Sequence, residues 1–373
     1  MLRAIAILLL CVPVGAAEID QKRLARIDDA AKSAIEKGEV PGAVVVVVHD
    51  DKVVFPKAYG SRAKKPTEEA MTVDTIFDLA SLTKPIATAT AVLKLVEDGK
   101  LEVTDKVSKH WPEFGANGKA DVTLEQCLLH TSGLIADNAI ADYKEGRAAA
   151  LKAIAGLKLE APAGTRFQYS DVGFIVLGEI VGRVAKKPLD EFVAKEIFTP
   201  LGMTDTTFQP SDKLKTRIAP TGLRNKEMVR GEVHDPRAHA MGGVAGHAGL
   251  FGTADDLALF ARMLLNDGKG NGKAILKPET VKLLTEKKAL PKEGFRSRGW
   301  DVDTAFSAPR GALFKSGDGF GHTGFTGTSI WIDPPSKTAI IVLSNRVHPD
   351  DKGNATPLRR AVGTLVAEAL KKE

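Results

Sequence analysis

A chain of 373 residues that is 43% hydrophobic and 27% charged has the composition of a globular protein, long enough for two domains or one large composite. Its formal charge of +5 is scattered over 52 basic and 47 acidic side chains, and aromatic residues make up 6%. The charge therefore reads as solvated surface, and nucleic-acid binding has little support. The two cysteines, Cys11 and Cys127, exclude a disulfide scaffold.

The chain opens with one positive charge at Arg3, an apolar run from Ala4 to Val14 and the small residues Gly15, Ala16 and Ala17. That pattern is a secretory signal over residues 1–17, with an apolar run too short to span a bilayer, so the protein is expected to be secreted or periplasmic. No other membrane span is expected. Cys127 then stands alone within the apolar run Cys127-Leu128-Leu129, where it should be buried and inert. From Asp20 to Glu39, the residues Leu24, Ile27, Ala31, Ala34 and Ile35 share one face of a helix. Pro41-Gly42 breaks the chain before Ala43 to Val48, a nearly unbroken valine strand. Val53-Val54-Phe55 is its hairpin partner across Asp50-Asp51. Continuous valine implies burial on both faces, hence helices covering the sheet.

Ser81-Leu82-Thr83-Lys84 comes next, ahead of an apolar-periodic stretch (Ile86, Ala87, Ala91, Val92, Leu93, Leu95, Val96) that stops at Gly99. At i and i+3 the two side chains share a face, so Lys84 can reach Ser81 Oγ. Pro85 is compatible, because the first helical N–H groups lack intrahelical partners. A hydroxyl at a helix head has N–H groups nearby to hold an oxyanion, and a neighbouring amine of lowered pKa can accept its proton. Ser61-Arg62-Ala63-Lys64 repeats the spacing, but in a polar loop with no helix to align it.

Residues 81 to about 184 are mostly helical by periodicity, with turns at Gly99, Pro112, Gly115 and Gly164. Within them, Phe167-Gln168-Tyr169-Ser170-Asp171 precedes a helix beginning near Val172. A tyrosine beside a lysine ammonium can serve as a general base. Asp171 can cap that helix or contact the site. His234, Asp235, His239 and His247 are rich enough in donors for zinc, but their spacing fits no standard ligand pattern. They are read as a pocket wall or loop, with no metal. Gly321-His322-Thr323-Gly324-Phe325-Thr326-Gly327 leads into a strand from Thr328 to Ile332, where glycines let a substrate approach the strand edge. A hairpin turn at 333–337 leads to a second strand, Thr338 to Leu343, and the chain closes on an amphipathic helix from Thr356 to Lys371.

The chain resembles the serine penicillin-recognising hydrolases, whose class C branch holds β-lactamases, cell-wall D,D-peptidases and esterases. The segments that carry the resemblance are Pro41-Gly42-Ala43-Val44, Phe77 through Lys84, His130-Thr131-Ser132-Gly133-Leu134, Pro200-Leu201-Gly202-Met203 and His322-Thr323-Gly324. It implies an α+β fold: an antiparallel sheet flanked by helices, with an inserted, mainly helical domain. The expected division is 1–17 signal, 18–75 plus 235–373 sheet domain, and 76–234 helical domain. By the same resemblance Ser81 is the nucleophile, Lys84 its proton-accepting neighbour and Tyr169 the tyrosine of a Y-x-N motif. The backbone N–H groups of Ser81 and Phe325 form the oxyanion hole, and His322, Thr323 and Gly324 line the substrate.

Two positions depart from the family pattern. Asp171 replaces the Y-x-N asparagine, exchanging an amide donor for an acceptor. His322 replaces the lysine of K-T-G, so a cation for a substrate carboxylate becomes a ring mostly neutral at pH 7. Both favour small esters first, D-Ala-type cell-wall peptides second and β-lactams third, in a reaction needing no cofactor. A module that binds cell-wall fragments or β-lactams without turnover is the rival from another class. It would be expected to have lost Ser81, Lys84 or Tyr169, and all three are present.

Overall fold

The computed structural model describes residues 19–292, 294–312 and 317–371. The predicted signal sequence, residues 1–17, lies outside them.

A nine-stranded antiparallel sheet organises the molecule. Its strands are β1 (Gly42–His49), β2 (Lys52–Ala63), β3 (Glu69–Ala70), β4 (Lys288–Ala289), β5 (Phe295–Arg296), β6 (Asp301–Asp303), β7 (Phe320–Thr323), β8 (Ser329–Asp333) and β9 (Thr338–Ser344). Their spatial order is β4-β5-β6-β7-β8-β9-β1-β2-β3, so the two ends of the chain meet in the middle. The contact is β1 on β9, with Ala43 opposite Ser344 and His49 opposite Thr338. The sheet predicted from both termini is thus found.

The valine run explains why that seam is central. All eight β1 residues are buried. Val44, Val46 and Val48 join the main core with the Ala254–Leu265 helix, while Val45 and Val47 pack with the Ile27–Glu36 and Thr356–Ala369 helices. Each fully buried valine contributes about 2 kcal/mol of apolar burial, and a polar residue at any of them would forfeit that and bury a polar group.

Local details depart from the sequence reading. The helix expected over 20–39 is two, Gln21–Ala25 and Ile27–Glu36, because Arg26 N–H closes a tight bond to the Arg23 carbonyl at 3.2 Å. The partner strand β2 runs far beyond Phe55, to Ala63. His322 and Thr323 lie within a strand of their own, β7, paired with β8 through His322 opposite Ile330. The two- and three-residue strands β4 to β6 carry no periodicity that a sequence could reveal.

Candidate active site

Ser81 stands where the chain leaves the short strand Phe77–Asp78 and enters a helical turn, Ala80–Leu82. Ala80 holds a left-handed φ of 48°, a conformation costly for a residue with a Cβ. The buried Asp78 pins it: one carboxylate oxygen accepts the Ala80 N–H at 2.8 Å and the other the His234 N–H at 2.6 Å. Burial pushes the Asp78 carboxyl up to about 6 against the pull of those two N–H donors. Past Ser81, Lys84–Ala89 is wound as a wider π-helical turn before the regular helix Thr90–Glu97. Such turns are common at functional sites.

Lys84 is fully buried, and its ammonium donates to Ser81 Oγ at 3.0 Å and to the His247 carbonyl at 2.9 Å. It also lies 2.7 Å from Asp171 Oδ1 and hydrogen-bonds Tyr169. Burial pushes its pKa down, but Asp171 and Tyr169 outweigh burial and hold it above the ordinary lysine value. Lys84 could accept the serine proton only if its pKa were lowered. The structure holds it cationic, and the cause is the carboxylate at position 171.

Asp171 could have been the cap of the helix it starts. That task falls to Ser170, whose Oγ accepts the Gly173 N–H at 3.0 Å, and Asp171 is free to face Lys84. Tyr169 is held from behind by His130, stacked with ring centroids 4.4 Å apart. His130 Nδ1 accepts the Ser170 N–H at 3.0 Å. Burial first, then Arg296, Lys84 and His322, keep its pKa well below the usual histidine value.

A cleft of about 220 Å³ opens beside Ser81, lined by Tyr169, Arg296, Asp301, Phe306, His322, Thr323, Phe325 and Trp331. His322 Nδ1 donates to the Thr323 carbonyl at 2.8 Å. Burial first, then the Arg296 and Lys84 charges, push its pKa well down, so it is neutral at pH 7, as expected. The cation that the His-Thr-Gly segment lacks comes from elsewhere. Arg296 on β5 is 1% exposed and meets Asp301 through one nitrogen at 3.4 Å. Thr304 and Ser307 hydroxyls already occupy both Asp301 oxygens, at 2.7 and 2.6 Å. Arg296 Nε and Nη2 have no acceptor among the described residues. Nothing in the sequence marked this arginine, because only the fold of β4 to β7 carries it to Ser81.

A second opening of about 430 Å³ flanks Ser81 on the side of Asp137, Asp171, His234, Asp235 and His247. The histidines of the 234–247 segment diverge. His234 stacks on Phe325, His239 meets Arg224 and Glu232 at the surface, and His247 Nε2 pairs with Asp235 at 2.9 Å. Asp171, Asp235 and His247 present ligand atoms within 4.8 Å of one another. Within it the Lys84 ammonium pairs with Asp171, and Asp235 Oδ1 accepts from His247 and the Ala238 N–H. His234, Asp235 and His247 line this opening, and His239 does not. The repeat at Ser61 and Lys64 is spent on Glu68, at 2.5 Å from each.

The Gly324–Thr328 turn closes over Ser81. Thr326 Oγ1 donates to the Asp78 carbonyl at 2.7 Å and Thr328 Oγ1 to that of Leu79 at 3.0 Å. A Cβ at Gly324 would fall 2.1 Å from Thr328 Oγ1, so only glycine allows this approach. The Phe325 N–H has no acceptor among the described residues.

This geometry has relatives. The family profile described as Beta-lactamase matches residues 27–364. The chain belongs to the beta-lactamase family. Proteins of Salmonella agona (strain SL483) and Salmonella typhimurium (strain LT2), provisionally named D-alanyl-D-alanine carboxypeptidase, are 33% identical over 365 residues, spanning 88% of this chain and 84% of each relative. A penicillin-binding protein homologue from Caulobacter crescentus superposes with a TM-score of 0.75 at 23% identity, over 94% of this chain and 99% of its own. EstCE1, described as a hydrolase with promiscuous acyltransferase activity, gives 0.74 at 23% identity, over 92% of this chain and 99% of its own. This beta-lactamase-family protein is a serine hydrolase. No helix among the described residues is long and apolar enough to cross a membrane.

Proposed function

We propose that this protein cleaves D-Ala-D-Ala-type peptides, in which a carboxylate sits one residue beyond the scissile carbonyl, through an acyl-enzyme on Ser81. The observation that carries this reading is Arg296, a buried guanidinium lining the cleft that Ser81 opens into, whose Nε and Nη2 have no acceptor among the described residues. It reverses the order drawn from sequence, which placed small esters first because of His322 and Asp171. The name carried by the Salmonella relatives agrees with it.

Ser81 Oγ attacks the carbonyl carbon. Lys84 stays protonated and donates to both Ser81 and Tyr169, and the Tyr169 phenolate takes the serine proton to become the phenol. The N–H groups of Ser81 and Phe325 receive the developing oxyanion. The C–N bond breaks, the proton passes from Tyr169 to the leaving amine, and water later attacks the Ser81 ester by the same route in reverse. His322, Thr323 and Gly324 line the leaving-group side.

Small esters remain a second reading, favoured by Phe306 and Phe325, which stand about half exposed at the cleft mouth and suit an apolar group. Intact-mass spectrometry with an activated short ester, penicillin and a D-Ala-D-Ala peptide, run beside Ser81→Ala, separates the cases. Peptide turnover with a penicillin adduct, both lost in the variant, supports the peptidase. Turnover confined to the ester supports the esterase, and no Ser81 adduct with any of them overturns both. The leader at 1–17 supports export, tested by finding a mature N-terminus at or near Glu18 in the secreted or periplasmic fraction.

A further inference from the structure

The two peptide groups whose N–H bonds would face the oxyanion have carbonyls on their far sides, and each carbonyl is held by a buried side-chain donor. Gly324 C=O belongs to the same peptide group as the Phe325 N–H, and it accepts from Arg359 Nη2 at 2.9 Å. Ala80 C=O belongs to the same peptide group as the Ser81 N–H, and it accepts from Thr83 Oγ1 at 2.6 Å. Neither donor is assigned a part in the chemistry above. We propose that Arg359 and Thr83 are positioning residues that aim and polarise the two oxyanion-binding N–H groups.

Arg359 makes the stronger case. It lies in the first turn of the C-terminal helix Thr356–Ala369, is 7% exposed, and has no carboxylate within ion-pair distance among the described residues. A buried guanidinium without a counter-ion is costly, and an apolar side chain would pack there more cheaply. Its hydrogen bonds go to two backbone carbonyls of a single turn, Gly324 and, at 2.8 Å, Thr328. The Gly324–Phe325 peptide is trans, so its C=O and N–H point in opposite directions. A donor that grips the carbonyl from behind therefore sets where the N–H aims. Because that donor is a cation, it also draws electron density from the amide and makes the N–H a better donor toward an anion. Thr83 acts likewise on the strained Ala80: it donates to the Ala80 carbonyl while its own oxygen accepts the Leu250 N–H at 3.1 Å. Both effects are larger toward a full oxyanion than toward a neutral carbonyl, so they act in the transition state more than in substrate binding.

This inference rests on the reading that Ser81 and Phe325 form the oxyanion hole. Four variants test it: Arg359→Lys, Arg359→Met, Thr83→Val and Thr83→Ser. The readouts are the single-turnover rate of Ser81 acylation by an activated ester, KM, and affinity for a boronic acid that adds to Ser81 and places an oxygen in the hole. Arg359→Met should slow acylation by about ten- to a hundredfold with KM changed less than about threefold, and boronate affinity should fall in parallel. Arg359→Lys should lose less, Thr83→Val should show the same pattern, and Thr83→Ser should restore it. If Arg359→Met does not fold, the lysine and valine variants carry the test alone. Wild-type acylation in Arg359→Lys and Thr83→Val, a loss confined to KM, or a rate loss without a matching loss of boronate affinity overturns the proposal. Ser81→Ala is the separate control: product formed without Ser81 would overturn the underlying reading, whereas an absolute need for Ser81 with indifferent variants would overturn this inference only.

Discussion

Replacing Arg296 by glutamine tests the substrate reading most directly. Nε and Nη2 lie on one edge of the guanidinium and have no acceptor among the described residues, while Nη1 meets Asp301 at 3.4 Å and the group lies over the Phe167 and Tyr169 rings. A substrate carboxylate there would form charge-assisted, paired hydrogen bonds, worth about 2–4 kcal/mol in a desolvated cleft. At about 1.4 kcal/mol per tenfold, kcat/KM for a D-Ala-D-Ala peptide should fall by roughly 30- to 1000-fold. The matched peptide ending in a carboxamide makes no such pair, and its slower hydrolysis should change by less than about threefold. Thr304 and Ser307 keep both Asp301 oxygens bonded, so the variant should remain folded, which a thermal melt checks. Equal losses on the acid and the amide would show that Arg296 supports the cleft without reading a carboxylate, and the preference for peptides would fall with it.

Three further outcomes are expected. Asp171→Asn removes the strongest group that raises the Lys84 pKa, so burial gains ground and the ammonium titrates at lower pH. The alkaline limb of the kcat/KM–pH profile should move to lower pH, and a profile superimposable on wild type would refute the pairing. His322 is held neutral by burial and by Arg296 and Lys84, so its folded pKa is depressed. Its contribution to stability is fully present above about pH 6.5 and is lost as pH falls toward the folded value. Stability of His322→Gln relative to wild type, from urea unfolding, should therefore rise by about 1.4 kcal/mol per pH unit below 6.5. Taking this difference cancels Asp78 and Asp256, whose raised values of about 6 act with the opposite sign between about pH 4 and 6. Cys127 is buried and its thiol is pushed up to about 12, so at pH 8 it should resist alkylation in the folded protein and react once urea unfolds it. Rapid labelling of the native protein would contradict that burial.

Legibility followed the range of the interaction. Residues 43–48 announced a doubly covered strand because alternation was missing, and burial on both faces follows from that alone. The Ser81–Lys84 contact, 3.0 Å in the structure, was readable because a helical i, i+3 spacing is a local constraint. Strands β4 to β7 were not readable, since two to four residues hold too little periodicity and their pairing is supplied by neighbours distant in sequence.

The sequence by itself determined the family pattern, the sheet drawn from both ends and the nucleophile candidate, all of which rest on local spacing and on runs of one residue type. Tertiary structure decided the electrostatics. It set Asp171 against Lys84, at 2.7 Å, so that the lysine is held charged, which residue spacing alone leaves open. It brought Arg296 into the cleft to supply the cation that His322 does not, and it set Arg359 behind the Phe325 peptide. Charge and desolvation depend on what surrounds a group in space, and residues 84 and 171, or 324 and 359, become neighbours only when the chain has folded.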